Sequence, residues 1–151
     1  MTDDIILLIR FLYFALDREK NLYFEQHNLT ASQVDVLFFV AGSKIHNKEV
    51  NQRDIETHLH LTNPTVTGIL KRLEEKEFIS RVKSEADGRN KLIQLTTQSE
   101  ALLDQFMQYK NKIESMLLSD MNEEDITQLR SLLKKALHNM QCNDKNKKGG
   151  Y

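Results

Sequence analysis

The feature that most constrains the fold is a change of hydrophobic period inside the stretch 62–96. In its first half, apolar residues recur at i, i+3, i+4 and i+7, which predicts a helix with one buried face. These residues are Val66, Ile69, Leu70 and Leu73. From Phe78 the pattern alternates, and Asp87-Gly88 separates two short alternating runs, which predicts a β-hairpin. A short helix with an Asn51 cap precedes both elements.

Helical periodicity in the rest of the chain predicts six helices in all, together with the one hairpin. We expect the helices over about 3–25, 31–41, 51–60, 63–76, 97–119 and 122–141. The second, fourth and fifth helices each have two candidate caps, which are Thr30 or Ser32, Thr62 or Asn63, and Thr96 or Thr97. Gly42-Ser43 should end the second helix. The chain holds one Pro and five Gly, fewer than a turn-rich β fold uses, so a mainly α fold is favoured.

Length and cysteine content bound the class of protein. The 151 residues suit one domain, 1–141, followed by a polar tail, 142–151, which we expect to be disordered. One cysteine, Cys142, cannot form a disulfide framework, which favours a reduced, cytoplasmic location. The apolar run 5–16 is too short to span a bilayer and follows Asp3 and Asp4, so we expect neither a membrane anchor nor a signal peptide.

Charge is segregated along the chain although its total is close to zero. The net charge of −1 excludes a uniformly basic, DNA-coating protein. Segment 62–91 has seven Lys/Arg against five Asp/Glu, a net of +2, whereas 96–125 has two against seven, a net of −5. A locally positive surface of this kind suits phosphate binding.

The helix 63–76 and the hairpin carry the candidate DNA-binding residues. Short hydroxyls and a glycine on the outward face near its start allow close approach to a groove, and cations further along suit phosphates. Arg81 and three further cations lie on the hairpin, and an arginine at its tip suits a narrow minor groove. The full predicted set is Gln52, Arg53, Thr62, Asn63, Thr65, Thr67, Gly68, Lys71, Arg72, Lys83, Arg89 and Lys91.

Three blocks of the sequence closely resemble the MarR family of bacterial transcription regulators. They are LTASQVDVLFFV (29–40), LTNPTVTGILKRLEEKEFISR (61–81) and DGRNKLIQLT (87–96). The resemblance reaches from the first helix to about Gln141, and within the family the closing helix looks most like the multidrug-efflux repressors.

The resemblance implies a winged helix-turn-helix with N- and C-terminal dimerisation helices. The helix-turn-helix would occupy 51–76 and the wing 78–96, with 1–26 and 97–141 forming the interface of a homodimer on a palindromic operator. Asp87 would hold the wing and its arginine by ion pairing, and Arg89 would enter the minor groove. Interface residues expected from the family are Ile5, Leu8, Leu12, Leu129, Leu133 and Leu137. The family also implies repression relieved by a small-molecule effector, whose identity and contact residues the sequence does not give.

One position departs from the family pattern. Glu77 stands where the family usually has Gly, between the recognition helix and the wing. It must either accept a left-handed backbone, at a cost of roughly 1 kcal/mol, or end the helix differently.

Other functions have weaker support in the sequence. A helical dimerisation module without DNA binding would share the helices, and a redox- or metal-sensing regulator would share the fold. His58 and His60 lie on different sides of a helix, so we expect no metal site. The resemblance places the reactive cysteine of redox-sensing relatives near the first helix, whereas Cys142 lies at the other end of the chain, so we expect no redox role. No catalytic motif is present, so neither an enzyme nor a cofactor is expected.

Overall fold

A computed structural model describes residues 1–148, and their side chains as far as Asn143. Within these residues six helices and a two-stranded antiparallel hairpin follow one another in the predicted order, which confirms the mainly α fold class. The helices are α1 (Ile5–Glu25), α2 (Ala31–Ile45), α3 (Gln52–Leu59), α4 (Asn63–Glu75), α5 (Thr97–Leu117) and α6 (Glu123–Lys148). The strands are β1 (Ile79–Lys83) and β2 (Lys91–Leu95).

The chain forms two compact units. The first is Met1–Asn111, and the second begins at Lys112. The candidate site lies wholly in the first unit, whose core joins α1, α2, α3, α4, the hairpin and the first part of α5. Phe24, Leu37, Ile55 and Leu70 are fully buried there. Truncating any one of them to Ala would cost about 2–5 kcal/mol of folding free energy.

Side-chain caps place the start of most helices where the sequence predicts it. Asn51 and Asp54 form a reciprocal capping box at α3, and Thr96 and Ser99 form another at α5. Thr62 holds the N-cap position of α4 without capping a backbone N–H, and Pro64 lies in the first turn. Proline fits there because the first N–H groups of a helix have no partner inside it.

The hairpin is tied to the start of α3. Ile79 pairs with Leu95 and Lys83 with Lys91, and the backbone N–H of Ile93 donates to the carbonyl of Val50 at 2.7 Å. An isolated bridge joins Asn51 to Leu92. The segment before α3 therefore lies along the free edge of β2, which fixes the position of α3 against the wing.

Two helix ends differ from the prediction. The second helix does not end at Gly42-Ser43 but continues to Ile45, because Asn47 supplies the left-handed residue (φ 54°) that stops it. The last helix does not end at Gln141 but continues to Lys148, the last residue that the structure describes. The expected disordered tail is therefore helical over 142–148, and 149–151 lie outside the described residues.

The departure at Glu77 resolves in favour of the left-handed backbone, with φ at 62°. The N–H of Glu77 donates to the carbonyl of Glu74 at 3.0 Å, and the N–H of Phe78 to that of Leu73 at 2.9 Å. This is the Schellman pattern of helix termination, usually completed by glycine. The Thr96 hydroxyl also donates to the Glu77 carbonyl at 2.7 Å, which fixes the turn into the wing.

Candidate nucleic-acid interface

The predicted recognition helix, α4, has one buried and one exposed face. Val66, Leu70 and Leu73 are fully buried, as the helical period predicts. The five predicted contact residues of this helix that follow Pro64 are all exposed: Thr65, Thr67, Gly68, Lys71 and Arg72. The helix therefore presents short polar groups near its start and cations beyond them on the side away from the core.

Gly68 lies in the middle of the exposed face of α4. A Cβ built on it would meet no atom of the chain within 4 Å, and its backbone is not in the left-handed region. Neither packing nor backbone conformation in this chain requires glycine there, although glycine costs about 1 kcal/mol relative to alanine inside a helix. A close approach by another molecule would account for it.

An amide network joins α3 to the exposed start of α4. Gln52 Nε2 donates to Thr67 Oγ1 at 2.8 Å and to Glu56 Oε1 at 3.1 Å. Asn63 Nδ2 donates to the same Glu56 oxygen at 2.7 Å. We call Gln52, Glu56, Asn63 and Thr67 the amide network. Because it crosses between the two helices, it fixes the polar groups that the helix-turn-helix presents.

The wing tip is organised by the carboxylate of Asp87, although not as the resemblance implied. Its Oδ1 accepts the backbone N–H of Arg89 at 3.0 Å, and its carbonyl accepts the N–H of Asn90 at 2.9 Å. Among the described residues, the ion pairs do not include Arg89. The expected Asp87–Arg89 ion pair is therefore wrong: Asp87 holds the backbone of the turn, and the Arg89 side chain stays exposed.

The cations of the wing differ in how far they are neutralised. Arg81 Nε lies 2.9 Å from Glu74 Oε2, an ion pair that lacks hydrogen-bond geometry. Lys83 and Lys91 stand directly opposite each other in the hairpin, and both are exposed. Like charges at directly opposed positions destabilise a strand pair, so this end of the hairpin favours a bound anion.

An open cleft of about 510 Å³ separates the start of α3 from the wing. Among the side chains that line it are Gln52 and Arg53 on α3, and Arg89 and Lys91 on the wing. Gln52 also contacts Thr67, so the cleft adjoins the exposed face of α4. The predicted DNA contacts Gln52 and Arg53 of α3 thus lie around one cleft with Arg89 and Lys91 of the wing, which suits a phosphodiester strand.

Comparison with known proteins agrees with this geometry. The family model described as the MarR family matches residues 29–91. The transcriptional regulator MgrA of Staphylococcus aureus is 31% identical over 133 residues, which cover 85% of this chain and 86% of MgrA. The chain belongs to the MarR family.

Solved structures extend the similarity of this MarR-family chain to its fold. MepR, described as a transcription regulator of the S. aureus multidrug efflux pump MepA, is 28% identical and superposes with a TM-score of 0.77. That match covers 91% of this chain and 98% of MepR. A crystal structure of a MepR–DNA complex, 29% identical, matches 89% of this chain and 98% of its own with a TM-score of 0.68.

The predicted dimer-interface residues lie on apolar surface in each unit. In the first unit, Ile5 is 72% exposed and Leu8 is also exposed, whereas Leu12 is half-buried. In the second unit, Leu133 and Leu137 are 48% and 60% exposed, and Leu129 is half-buried. Large apolar side chains rarely cluster on the free surface of a monomer, so the exposed apolar residues of α1 and of α6 favour contact with a protein partner.

Three observations on the described part of the chain concern metal binding, Cys142 and membrane association. It contains no group of three or more His, Cys, Asp or Glu residues placed to hold a metal ion. Cys142 is exposed, and its Sγ lies 3.4 Å from Nε2 of His138, one turn earlier on α6. No helix in the described range is long and apolar enough to cross a membrane.

Glu56, a member of the amide network, is not among the residues predicted from the sequence. It is half-buried and accepts hydrogen bonds from both side-chain amides of the network. Its spacing from Gln52, one helical turn, was visible in the sequence as an i, i+4 pair. Its contact with Asn63 depends on how α3 and α4 cross, which no local pattern gives.

Proposed function

We propose that this MarR-family chain is a sequence-specific, DNA-binding transcription regulator that acts in the cytoplasm as a homodimeric repressor on a palindromic operator. The observation that carries the proposal is the cleft between the start of α3 and the wing. Arg53, Arg89 and Lys91 meet there beside the exposed face of α4. A MarR-family relative that adopts this fold, MepR, has been crystallised with DNA.

The helix-turn-helix and the wing divide the contacts with DNA between them. We propose that α4 enters the major groove, where Thr65, Thr67 and Gly68 approach base edges and Lys71 and Arg72 contact phosphates. Arg53 sits at the start of α3, and we assign it to the flanking backbone together with Thr62. Gln52 and Asn63 lie beside the exposed start of α4, and we place them against base edges.

The wing supplies the outer contacts. Arg89 is held at the tip by the turn that Asp87 organises, so its exposed guanidinium can enter the adjacent minor groove. Lys83 and Lys91 face each other at the end of the hairpin, and a phosphate between them would relieve their repulsion. Because these contacts pair cations with phosphates, the affinity for DNA should fall as the salt concentration rises.

Dimerisation couples two such surfaces. We propose that 1–26 and 97–141 form the interface, so that two recognition helices lie about one DNA turn apart, roughly 34 Å. A small-molecule effector would act by changing that spacing, because both half-sites must be engaged together.

The test is selection from a pool of random DNA duplexes at about 150 mM salt, followed by sequencing of the bound fraction. We expect an enriched palindrome whose half-sites are centred about ten base pairs apart. Retention without enrichment would reduce the proposal to non-specific binding. No retention at all would favour a dimerisation module without a DNA role.

A further inference from the structure

The carboxylate of Glu56 contacts two side-chain amides of the helix-turn-helix, those of Gln52 and Asn63. Glu56 Oε1 accepts hydrogen bonds from Gln52 Nε2 at 3.1 Å and from Asn63 Nδ2 at 2.7 Å. An ionised carboxylate has no hydrogen to donate, so each amide must turn its NH₂ group toward it. The side-chain carbonyl oxygens of Gln52 and Asn63 consequently point away from Glu56.

The second hydrogen of the Gln52 amide is also used inside the chain. Nε2 donates to Thr67 Oγ1 at 2.8 Å, which leaves Oε1 as the group that Gln52 can offer to another molecule. Thr67 accepts that bond, so its own hydroxyl hydrogen stays available for donation. Among the residues whose side chains are described, neither Gln52 Oε1 nor Asn63 Oδ1 accepts a hydrogen bond.

We infer that Glu56 is a positioning residue that sets the base preference of this surface. The inference rests on the proposed function, in which Gln52 and Asn63 adjoin DNA. On the major-groove edges of the base pairs, the hydrogen-bond donors are the N4 amino group of cytosine and the N6 amino group of adenine. Both hydrogens of the Gln52 amide are used inside the chain, so Gln52 can only accept; it favours adenine or cytosine on the strand that it faces and disfavours guanine or thymine. Asn63 turns its oxygen outward but keeps one amide hydrogen, so it adds to this preference less strictly.

Without a carboxylate at position 56, the amides of Gln52 and Asn63 are no longer held in one orientation. A terminal amide can rotate by half a turn and exchange its donor and acceptor ends at little cost when its partners can do the same. Glutamine at position 56 keeps the size of the side chain and can either donate or accept. The Glu56→Gln variant should therefore let Gln52 and Asn63 present either end to a base.

The experiment repeats the duplex selection with the full-length wild-type chain, Glu56→Gln and a matched control, Glu75→Gln. Glu75 is exposed in the last turn of α4, so its substitution makes the same change of charge outside the network. We expect wild type and Glu75→Gln to share one motif. Glu56→Gln should lose an adenine or cytosine preference of about tenfold at one or two positions in each half-site, with the rest of the motif and the melting temperature kept.

A second variant, Gln52→Met, removes the amide and leaves the carboxylate in place. It should weaken the preference at a position that Glu56→Gln also affects, and it supplies the test if Glu56→Gln does not fold. An unchanged motif in both variants, or changes at unrelated positions, would overturn the inference while the proposed function stands. A wild-type chain that enriches no motif would instead overturn the proposed function, and this inference with it.

Discussion

At the scale of single residues, a substitution at Gly68 should have opposite effects on the stability of the fold and on DNA affinity. A methyl group there meets nothing in the chain, so Gly68→Ala should raise the free energy of unfolding by about 0.5–1 kcal/mol. The same methyl group should weaken DNA binding if α4 lies close to a groove floor. Thermal melting and a DNA titration measure the two effects.

Gly42→Ala is the matched control for this prediction. Gly42 is also helical, on α2, and a Cβ there also meets nothing within 4 Å. It should stabilise the fold in a similar way and leave DNA affinity unchanged. If both variants bound DNA as the wild type does, Gly68 would not be a point of close approach.

Glu77 adopts a left-handed backbone at an expected cost in folding free energy, because the family pattern usually has Gly at this position. Its φ of 62° lies in the region that glycine adopts without strain. Glu77→Gly should therefore stabilise the fold by up to about 1 kcal/mol, measured by urea unfolding. Glu75→Gly, two residues earlier in the helix, should destabilise it by about 1 kcal/mol. Destabilisation by both would mean that position 77 is not strained.

At the scale of elements, the wing can be tested through its tip. Arg89 is exposed, and none of the described ion pairs includes it, so Arg89→Ala should leave the melting temperature nearly unchanged. The same change should weaken DNA binding by about 1–3 kcal/mol. Lys48→Ala, an equal loss of charge in the exposed loop before α3 and outside the proposed interface, serves as the control. Equal affinity in the two variants would reduce the wing to a structural hairpin.

Elements with local signals could be predicted from the sequence. The start of α3 follows from the Asn51–Asp54 box, the buried face of α4 from its period, and the hairpin from its alternation. These signals involve residues a few positions apart, so they persist whatever the rest of the chain does. The same reasoning gave the exposed residues of α4 correctly.

Three features could not be predicted, two because neighbouring residues gave competing local signals and one because it depends on how two helices cross. Gly42 permits a helix end but does not force one, and Asn47 decides where α2 stops. The wing turn depends on the Asp87 carboxylate rather than on a left-handed Gly88. The contact of Glu56 with Asn63 requires the crossing of two helices, which leaves no periodic trace in the sequence.

At the scale of the whole molecule, dimerisation is the property on which operator recognition depends. Leu137 is 60% exposed in the single chain, so Leu137→Asp should cost little folding free energy in a monomer. Buried in a dimer, an unpaired aspartate would be strongly unfavourable. We expect light scattering to report monomers and a loss of operator binding.

Ile45→Asp is the control for that prediction. Ile45 is 79% exposed at the end of α2, outside the proposed interface. The variant should keep the dimer mass and the DNA affinity. An unchanged dimer mass for Leu137→Asp would move the interface away from α6.

The most direct test of the account is a footprint of the protein on its selected duplex. The proposed dimer, with α4 in the major groove and Arg89 in the minor groove, predicts protection of two major-groove segments about ten base pairs apart. Each should be flanked by minor-groove protection that Arg89→Ala removes. A single protected segment, or flanking protection that persists in Arg89→Ala, would contradict the arrangement proposed for α4 and the wing.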